Sequence, residues 1–174
     1  QGGRRGSLTR ADLSGTDWTD ASMSTADLTD ADLTGMILSG LRSISIAGTP
    51  AKADPGVLVS GGFLVGPGVD LSLADASGAD WTGANLAGAD LRGATVDSVI
   101  FVGGNLRGAD LSGGASLEFA NFDGADLTDA NFAGAFTAFL GVYPSTSGAT
   151  WSNTTCPDGS NSDSNGSTCV GHGF

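Results

Sequence analysis

The sequence has few of the residue types that helical surfaces and active sites need. Its 174 residues include one lysine, one glutamate and one histidine. Exposed helix surfaces are built mainly from Glu, Lys, Gln and Arg, so this scarcity excludes a mostly helical protein. No apolar run approaches the roughly 20 residues of a membrane span. Seven basic residues against 19 acidic ones, a net charge of −12, exclude direct nucleic-acid binding, which needs clustered Lys and Arg.

The patterns of common catalytic sites are also missing. There is no phosphate-binding loop, zinc pattern or dinucleotide fingerprint. His172 is the only histidine and lies two residues from the end. The two cysteines, Cys156 and Cys169, offer no reactive thiol if they are bonded to each other. We therefore expect a protein that is not an enzyme and requires no cofactor.

The chain has instead a repeat of five residues. A bulky residue recurs every fifth position, as at Leu8, Leu13 and Trp18, with Ala two places before it and Asp or Asn one place before it. One extra residue near Gly113–Gly114 shifts the phase of the second run. A period of five fits neither a helix nor a plain strand. It predicts a chain that turns a corner every five residues, so that four sides close one coil of 20 residues.

The tandem motif A[D/N]LxG, as in ADLSG from Ala11 and ANLAG from Ala84, resembles the pentapeptide-repeat family. The resemblance covers about residues 6–41 and 69–142. It implies an all-β fold, a right-handed quadrilateral parallel β-helix, here of about five to six coils. Residues 20 apart would be vertical neighbours, which predicts a core ladder of Trp81, Phe101 and Phe122.

The composition divides the chain into five segments. They are an N-terminal arm (1–5), a first repeat run (6–41), an interruption (42–68), a second repeat run (69–142) and a polar tail (143–174). Inside the interruption, two apolar arms around Gly61–Gly62 predict a β-hairpin. This hairpin either loops out from one face or continues the wall with a bulge.

The tail holds both cysteines in one short polar loop. Cys156 and Cys169 therefore predict a disulfide and an oxidising compartment. A chain that starts at Gln1, without Met or an apolar leader, fits a mature product after removal of a signal peptide, although a shortened chain would start in the same way. We expect a secreted or cell-surface protein.

Oxygen-bearing side chains alternate inside the cysteine loop. Asp158, Asn161, Asp163 and Asn165 resemble the opening half of an EF-hand calcium loop. The twelfth position of that register is His172 rather than a bidentate Glu, so any calcium site would be weak. The alternative is a plain loop of Asx turns that the disulfide holds in place.

Two non-enzymatic functions remain. The first is an extracellular structural solenoid. It either assembles with itself, head to tail into filaments or end to end, or serves as a surface scaffold. The tail would then either cap its own end of the solenoid or provide the seat for the next subunit. The second follows from the family resemblance, because some members mimic DNA and bind DNA gyrase, causing topoisomerase inhibition or quinolone protection. Those members dimerise through a C-terminal helix, and this tail has no helical period.

Overall fold

The computed structural model describes residues 6–137 and 142–174. The predicted arm (1–5) and residues 138–141 of the second repeat run lie outside the described residues. Regular elements are short: β1 (Gly6–Ser7), β2 (Ser22–Ser24), β3 (Ala26–Asp27), β4 (Arg42–Ile44), β5 (Leu58–Ser60), β6 (Phe63–Val65) and a 3-10 helix (Ser162–Asn165). Within the described part of the chain, no helix is long and apolar enough to cross a membrane.

The first repeat run stacks in parallel with a spacing of 20 residues. Strand β1 pairs with β3 so that Gly6 faces Ala26, and β2 pairs with β4 so that Ser22 faces Arg42. Isolated parallel bridges have the same spacing, for example between Asp12 and Asp32. A spacing of 20 is what four sides of five residues each predict, so the chain is a solenoid.

The second repeat run keeps this stacking through a change of spacing. Bridges are 20 residues apart up to Asp90 and Asp110, and the four that span one extra residue are 21 apart, as between Asp110 and Asn131. Beyond them the spacing is 20 between Ser116 and Phe136 and 24 in the last three parallel bridges. The extra residue lies at Gly113–Gly114, where both glycines have positive φ, 69° and 85°. Glycine adopts this conformation without a steric penalty. The insertion is therefore absorbed at a corner, and stacking resumes beyond it.

The repeated acidic residue braces the corner that follows it. The Asp12 carboxylate accepts hydrogen bonds from the Ser14 N–H at 3.0 Å and the Ser14 hydroxyl at 2.6 Å. Asp80 makes the same pair of bonds to Thr82. Such Asx turns stabilise corners locally. The arrangement recurs at Asp17, Asp27, Asp32, Asp70 and Asp75.

The interior is filled by the bulky residue and the alanine of each repeat. Trp81, Phe101 and Phe122 are fully buried, and their ring centroids are 5.5 Å and 4.7 Å apart along the stack. Phe63 of β6 extends this column in the other direction, 6.4 Å from Trp81. Leu86 and Leu106 are equally buried. The lumen is a packed core and not a channel.

The interruption continues the wall and does not loop out. Strands β5 and β6 form an antiparallel hairpin around Gly61–Gly62, and all three residues of β6 are buried. The two repeat runs meet beside it, because the Asp70 N–H donates to the Leu41 C=O at 3.0 Å. The same stack therefore passes through Ser22, Arg42, Asp70, Asp90, Asp110, Asn131 and Thr155, which is six turns of the chain.

Candidate functional site

The C-terminal end of the solenoid is closed by the tail. Cys156 and Cys169 form a disulfide, and both are fully buried. The tail then turns back on itself, so that Thr155 and Asn161 form an antiparallel bridge. Thr154, also fully buried, donates its hydroxyl to the Leu127 C=O at 2.7 Å. The disulfide loop is thus attached to the last complete turn.

The last residue, Phe174, seals the lumen at this end. Its ring lies 5.1 Å from Phe132, 5.3 Å from Trp151 and 6.1 Å from Phe122, measured between centroids. Phe174 is only 8% exposed. That Phe174 covers the lumen was not predicted from the sequence. The available signal was that Trp151 and Phe174 are two of only three aromatic residues in the polar tail, with Tyr143.

The four residues predicted as calcium ligands are engaged in hydrogen bonds within the tail. Asn161 caps the 3-10 helix by accepting from the Asp163 N–H at 2.9 Å. The Asp163 carboxylate accepts from the Asn153 N–H at 2.9 Å. Asn165 donates its amide to the Ser160 hydroxyl at 2.7 Å. Calcium would have to compete with these bonds.

Asp158, the fourth predicted ligand, pairs with the only histidine. Its carboxylate accepts from the Ser160 hydroxyl and N–H and lies 2.9 Å from His172 Nδ1. The Ser160 hydroxyl, the Ser160 N–H and then His172 lower the pKa of Asp158 to about 2. Within residues 6–137 and 142–174, no group of three or more His, Cys, Asp or Glu is placed to hold a metal ion. Calcium binding therefore stays a prediction.

The N-terminal end is built differently. Leu8, Leu13 and Trp18, the bulky residues of the first coil, are only half-buried, whereas their equivalents one turn later are buried. The main-chain N–H and C=O groups of Asp12 and Asp17 have no hydrogen-bond partner among the described residues. This end therefore presents an open strand edge to residues placed beside it.

Carboxylates form vertical rows on the outer surface. Asp70, Asp90 and Asp110 occupy successive levels of one row. Basic side chains pair with some of them, as Arg42 does with Asp70 at 3.0 Å. In another row Lys52 bonds to Asp32 at 2.7 Å and, with the Thr34 hydroxyl and N–H, lowers the pKa of Asp32 to about 2. Most of the acidic charge remains uncompensated, as the net charge of −12 requires.

Comparison with protein-family models matches one family, described as Pentapeptide repeats. Eight copies of the repeat match, in residues 7–40, 70–113 and 114–136, which is more than half of the chain. Comparison with curated protein sequences gives no match.

Three solved structures illustrate the resemblance. HetL, a pentapeptide repeat protein involved in heterocyst differentiation regulation from the cyanobacterium Nostoc, is 28% identical over 90% of this chain, with a TM-score of 0.33; this chain spans 66% of its length. A pentapeptide repeat protein from the Arabidopsis thaliana thylakoid lumen is 27% identical, covering 58% of this chain and 71% of its own, with a TM-score of 0.34. Full-length QnrB1, a plasmid-mediated fluoroquinolone resistance protein, is 16% identical, covering 86% and 85%, with a TM-score of 0.29.

Proposed function

Because the chain belongs to the pentapeptide repeat family, we propose that it is a non-enzymatic structural β-solenoid that works outside the cytosol, secreted or at a cell surface. The right-handed quadrilateral β-helix of the family is the fold that we assign to its six turns. The observation that carries the proposal is the disulfide-locked tail over one end of the stack. Disulfides persist in oxidising compartments and are rare in the cytosol.

The difference between the two ends supports a mode of assembly. At the C-terminal end, Phe174 and the loop between Cys156 and Cys169 cover the last turn. Stacking another coil there, as a head-to-tail filament requires, would displace the tail against the disulfide. At the N-terminal end, Asp12 and Asp17 leave strand-edge groups free of partners among the residues described. We therefore favour end-to-end contact between the first coils of two copies.

Sedimentation velocity tests this assembly with matched variants. Replacing Asp12 and Asp17 by Pro removes the two N–H groups that would pair across the contact, and replacing both by Ala removes only the carboxylates. We expect the wild type and the Ala variant to associate and the Pro variant to remain a 17.1 kDa monomer. A wild-type protein that stays monomeric at all concentrations contradicts end-to-end assembly.

Reduction provides a second arm of the same test. If filaments form only after the disulfide is reduced, the tail blocks head-to-tail stacking and its removal permits it. If filaments form while the disulfide is intact, the C-terminal end is open to stacking and the preference for end-to-end contact is wrong. Electron microscopy with and without reductant distinguishes the two outcomes.

The alternative function is DNA mimicry directed at DNA gyrase. The observation that favours it is charge density. The six turns span about 29 Å at about 4.8 Å per level. The net charge of −12 along this length is roughly one negative charge per 2.4 Å, compared with about one per 1.7 Å for duplex DNA. Inhibition of gyrase supercoiling, or protection of it from a quinolone, would favour this function over the structural one. The corner-bracing role of the aspartates explains the same charge without any DNA mimicry.

Weak calcium binding by Asp158, Asn161, Asp163 and Asn165 is a separate proposal. It is supported by the alternation of oxygen-bearing side chains in one loop. An ion there would replace the hydrogen bonds that these side chains now make. A thermal unfolding temperature that rises in millimolar calcium, and does not rise in an Asp163→Ala variant, would support it. A wild-type unfolding temperature that does not change in millimolar calcium would contradict the proposal of calcium binding.

A further inference from the structure

The interruption leaves a wedge-shaped notch in one side wall of the solenoid. Residues 42–45 form its lower edge, residues 70–75 its upper edge and residues 61–63 its inner end. Its volume is about 600 Å³. Ligand-binding clefts in proteins commonly have volumes of this order.

The notch arises because two turns diverge along this wall. At one end they are in direct contact, through the Asp70 N–H and the Leu41 C=O. At the other end the hairpin turn lies between them. The Ile46 N–H donates to the Gly62 C=O at 2.8 Å, and a Cβ added to Gly61 would come within 2.8 Å of the Ala79 Cβ. The separation thus grows from one level, about 4.8 Å, to about two, which leaves a gap one strand wide.

Main-chain groups on both edges of the notch lack hydrogen-bond partners among the residues that the structure describes. Thr25 donates its N–H to the Ile44 C=O in the turn above, at 3.0 Å, but the N–H of Ser45, the equivalent residue one turn later, makes no such bond in the described part of the chain. On the upper edge, neither the N–H nor the C=O of Asp75 has a hydrogen-bond partner within residues 6–137 and 142–174. The N–H of its stacked neighbour Thr95 donates to the Ala74 C=O at 2.8 Å. Unpaired edges of this kind accept an added strand.

The side chains at the rim indicate the chemistry of the added strand. Ile44 on the lower edge is 59% exposed and Leu73 on the upper edge is 80% exposed. Asp75 is exposed, and its carboxylate accepts hydrogen bonds only from Ser77 among the described residues. Arg42 is already paired with Asp70. The notch therefore offers apolar surface together with acidic charge, in a chain whose net charge is −12.

We propose that this notch binds an extended segment of a partner protein that alternates apolar and basic residues. The segment adds as a strand between residues 43–45 and 72–75, where its main chain bonds to Ser45 and Asp75. Its apolar side chains cover Ile44 and Leu73, and a basic side chain pairs with the carboxylate of Asp75. The inference goes beyond the proposed function, because the notch is on a side wall and neither end of the solenoid takes part.

Fluorescence anisotropy with a labelled peptide tests the proposal. The probe is a fluorescein-labelled hexapeptide of alternating Lys and Val, measured at physiological salt. The control peptide alternates Lys and Pro, so it has the same charge but lacks half of the main-chain N–H donors. We expect saturable binding of the first peptide and binding of the second that is at least about tenfold weaker.

A pair of isoleucine variants locates the site. Ile44→Arg places a cation at the notch. Ile37→Arg makes the same change at a residue of another wall that is 49% exposed. Both variants have the same net charge, so general attraction of the peptide changes equally. We expect Ile44→Arg to weaken binding of the Lys-Val peptide by at least about tenfold. We expect Ile37→Arg to leave the affinity for this peptide within about twofold of the wild-type value.

A second pair of variants covers the case in which Ile44→Arg does not fold. Leu73 and Phe119 are both exposed, and both have a φ of 59°. Asn tolerates this conformation. Leu73→Asn is expected to weaken binding of the Lys-Val peptide, and Phe119→Asn is expected to leave this binding unchanged.

Three results would overturn the proposal. Equal binding of the two peptides, or an equal loss in the two isoleucine variants, means that charge alone attracts the probe. Binding of neither peptide at about 1 mM means that the notch does not accept a strand. Loss of self-association in Ile44→Arg, measured by sedimentation, means that a second copy of the chain occupies the notch in place of a partner.

Discussion

Replacing Phe174 by Ala should unfold the C-terminal end of the solenoid more easily. Phe174 is 8% exposed, and its ring contacts Phe122, Phe132 and Trp151. Truncating a buried Phe typically costs about 3–5 kcal/mol. Phe174 is slightly exposed and not fully buried, so we expect a loss at the lower end of this range, about 3 kcal/mol. For a chain of this size, that loss lowers the unfolding temperature by about 6–12 °C.

Urea unfolding followed by tryptophan fluorescence measures this loss, because Trp151 lies against the deleted ring. The control is Val170→Ala, in the same tail but 57% exposed, which should change the stability by less than about 0.5 kcal/mol. A Phe174→Ala variant within about 0.5 kcal/mol of the wild type would refute the reasoning. It would mean that the tail is held by the disulfide and hydrogen bonds, and that the ring contributes no net stability.

Three further predictions concern the disulfide, the core and the surface charges. Replacing Cys156 and Cys169 by Ala removes a loop closure of sequence separation 13 and should cost about 3 kcal/mol relative to the oxidised wild type, measured by urea unfolding. Trp81→Phe should cost less than about 1.5 kcal/mol, because the buried indole N–H has no hydrogen-bond partner among the described residues and removing it offsets lost packing; a larger loss in thermal unfolding contradicts this. NMR titration should give Asp32 a pKa of about 2, below the unfolded value of about 3.9. The ionised carboxylate of Asp32 therefore contributes its full stabilisation above about pH 4, and this stabilisation is lost as the pH falls through about 2. Lys52→Met should raise that pKa, and an unchanged value would show that Lys52 does not hold the carboxylate.

The repeated part of the fold was predictable because each residue type has one physical task in every unit. Ala fits the narrow wall, the bulky residue fills the lumen, and the stack requires a spacing of 20. These constraints place Trp81 beneath Phe101 without any knowledge of tertiary contacts. The aspartates were interpreted as outward corner residues, and Asp12 and Asp80 are also hydrogen-bonded braces.

The interruption and the tail were less predictable, because their structure depends on contacts between distant segments. The apolar arms around Gly61–Gly62 indicate a hairpin, but the level it occupies depends on Ile46 and Ala79. The notch follows from that placement and has no local signature. Phe174 has no aromatic neighbour nearby in the sequence, and its contacts with Phe132 and Trp151 arise only when the tail folds over the last turn.

The corner at Gly113–Gly114 has a consequence for how this chain can be altered. An added residue there changes the spacing of the bridges that span this corner from 20 to 21, and Asp110 and Asn131 still pair. Each corner can therefore accept extra residues independently of the others, and an extension at one corner does not disturb the stacking of the turns above it. Binding loops or epitopes inserted at such corners would be displayed at regular intervals of about 4.8 Å along a rigid rod, which suits the molecule to use as a molecular ruler.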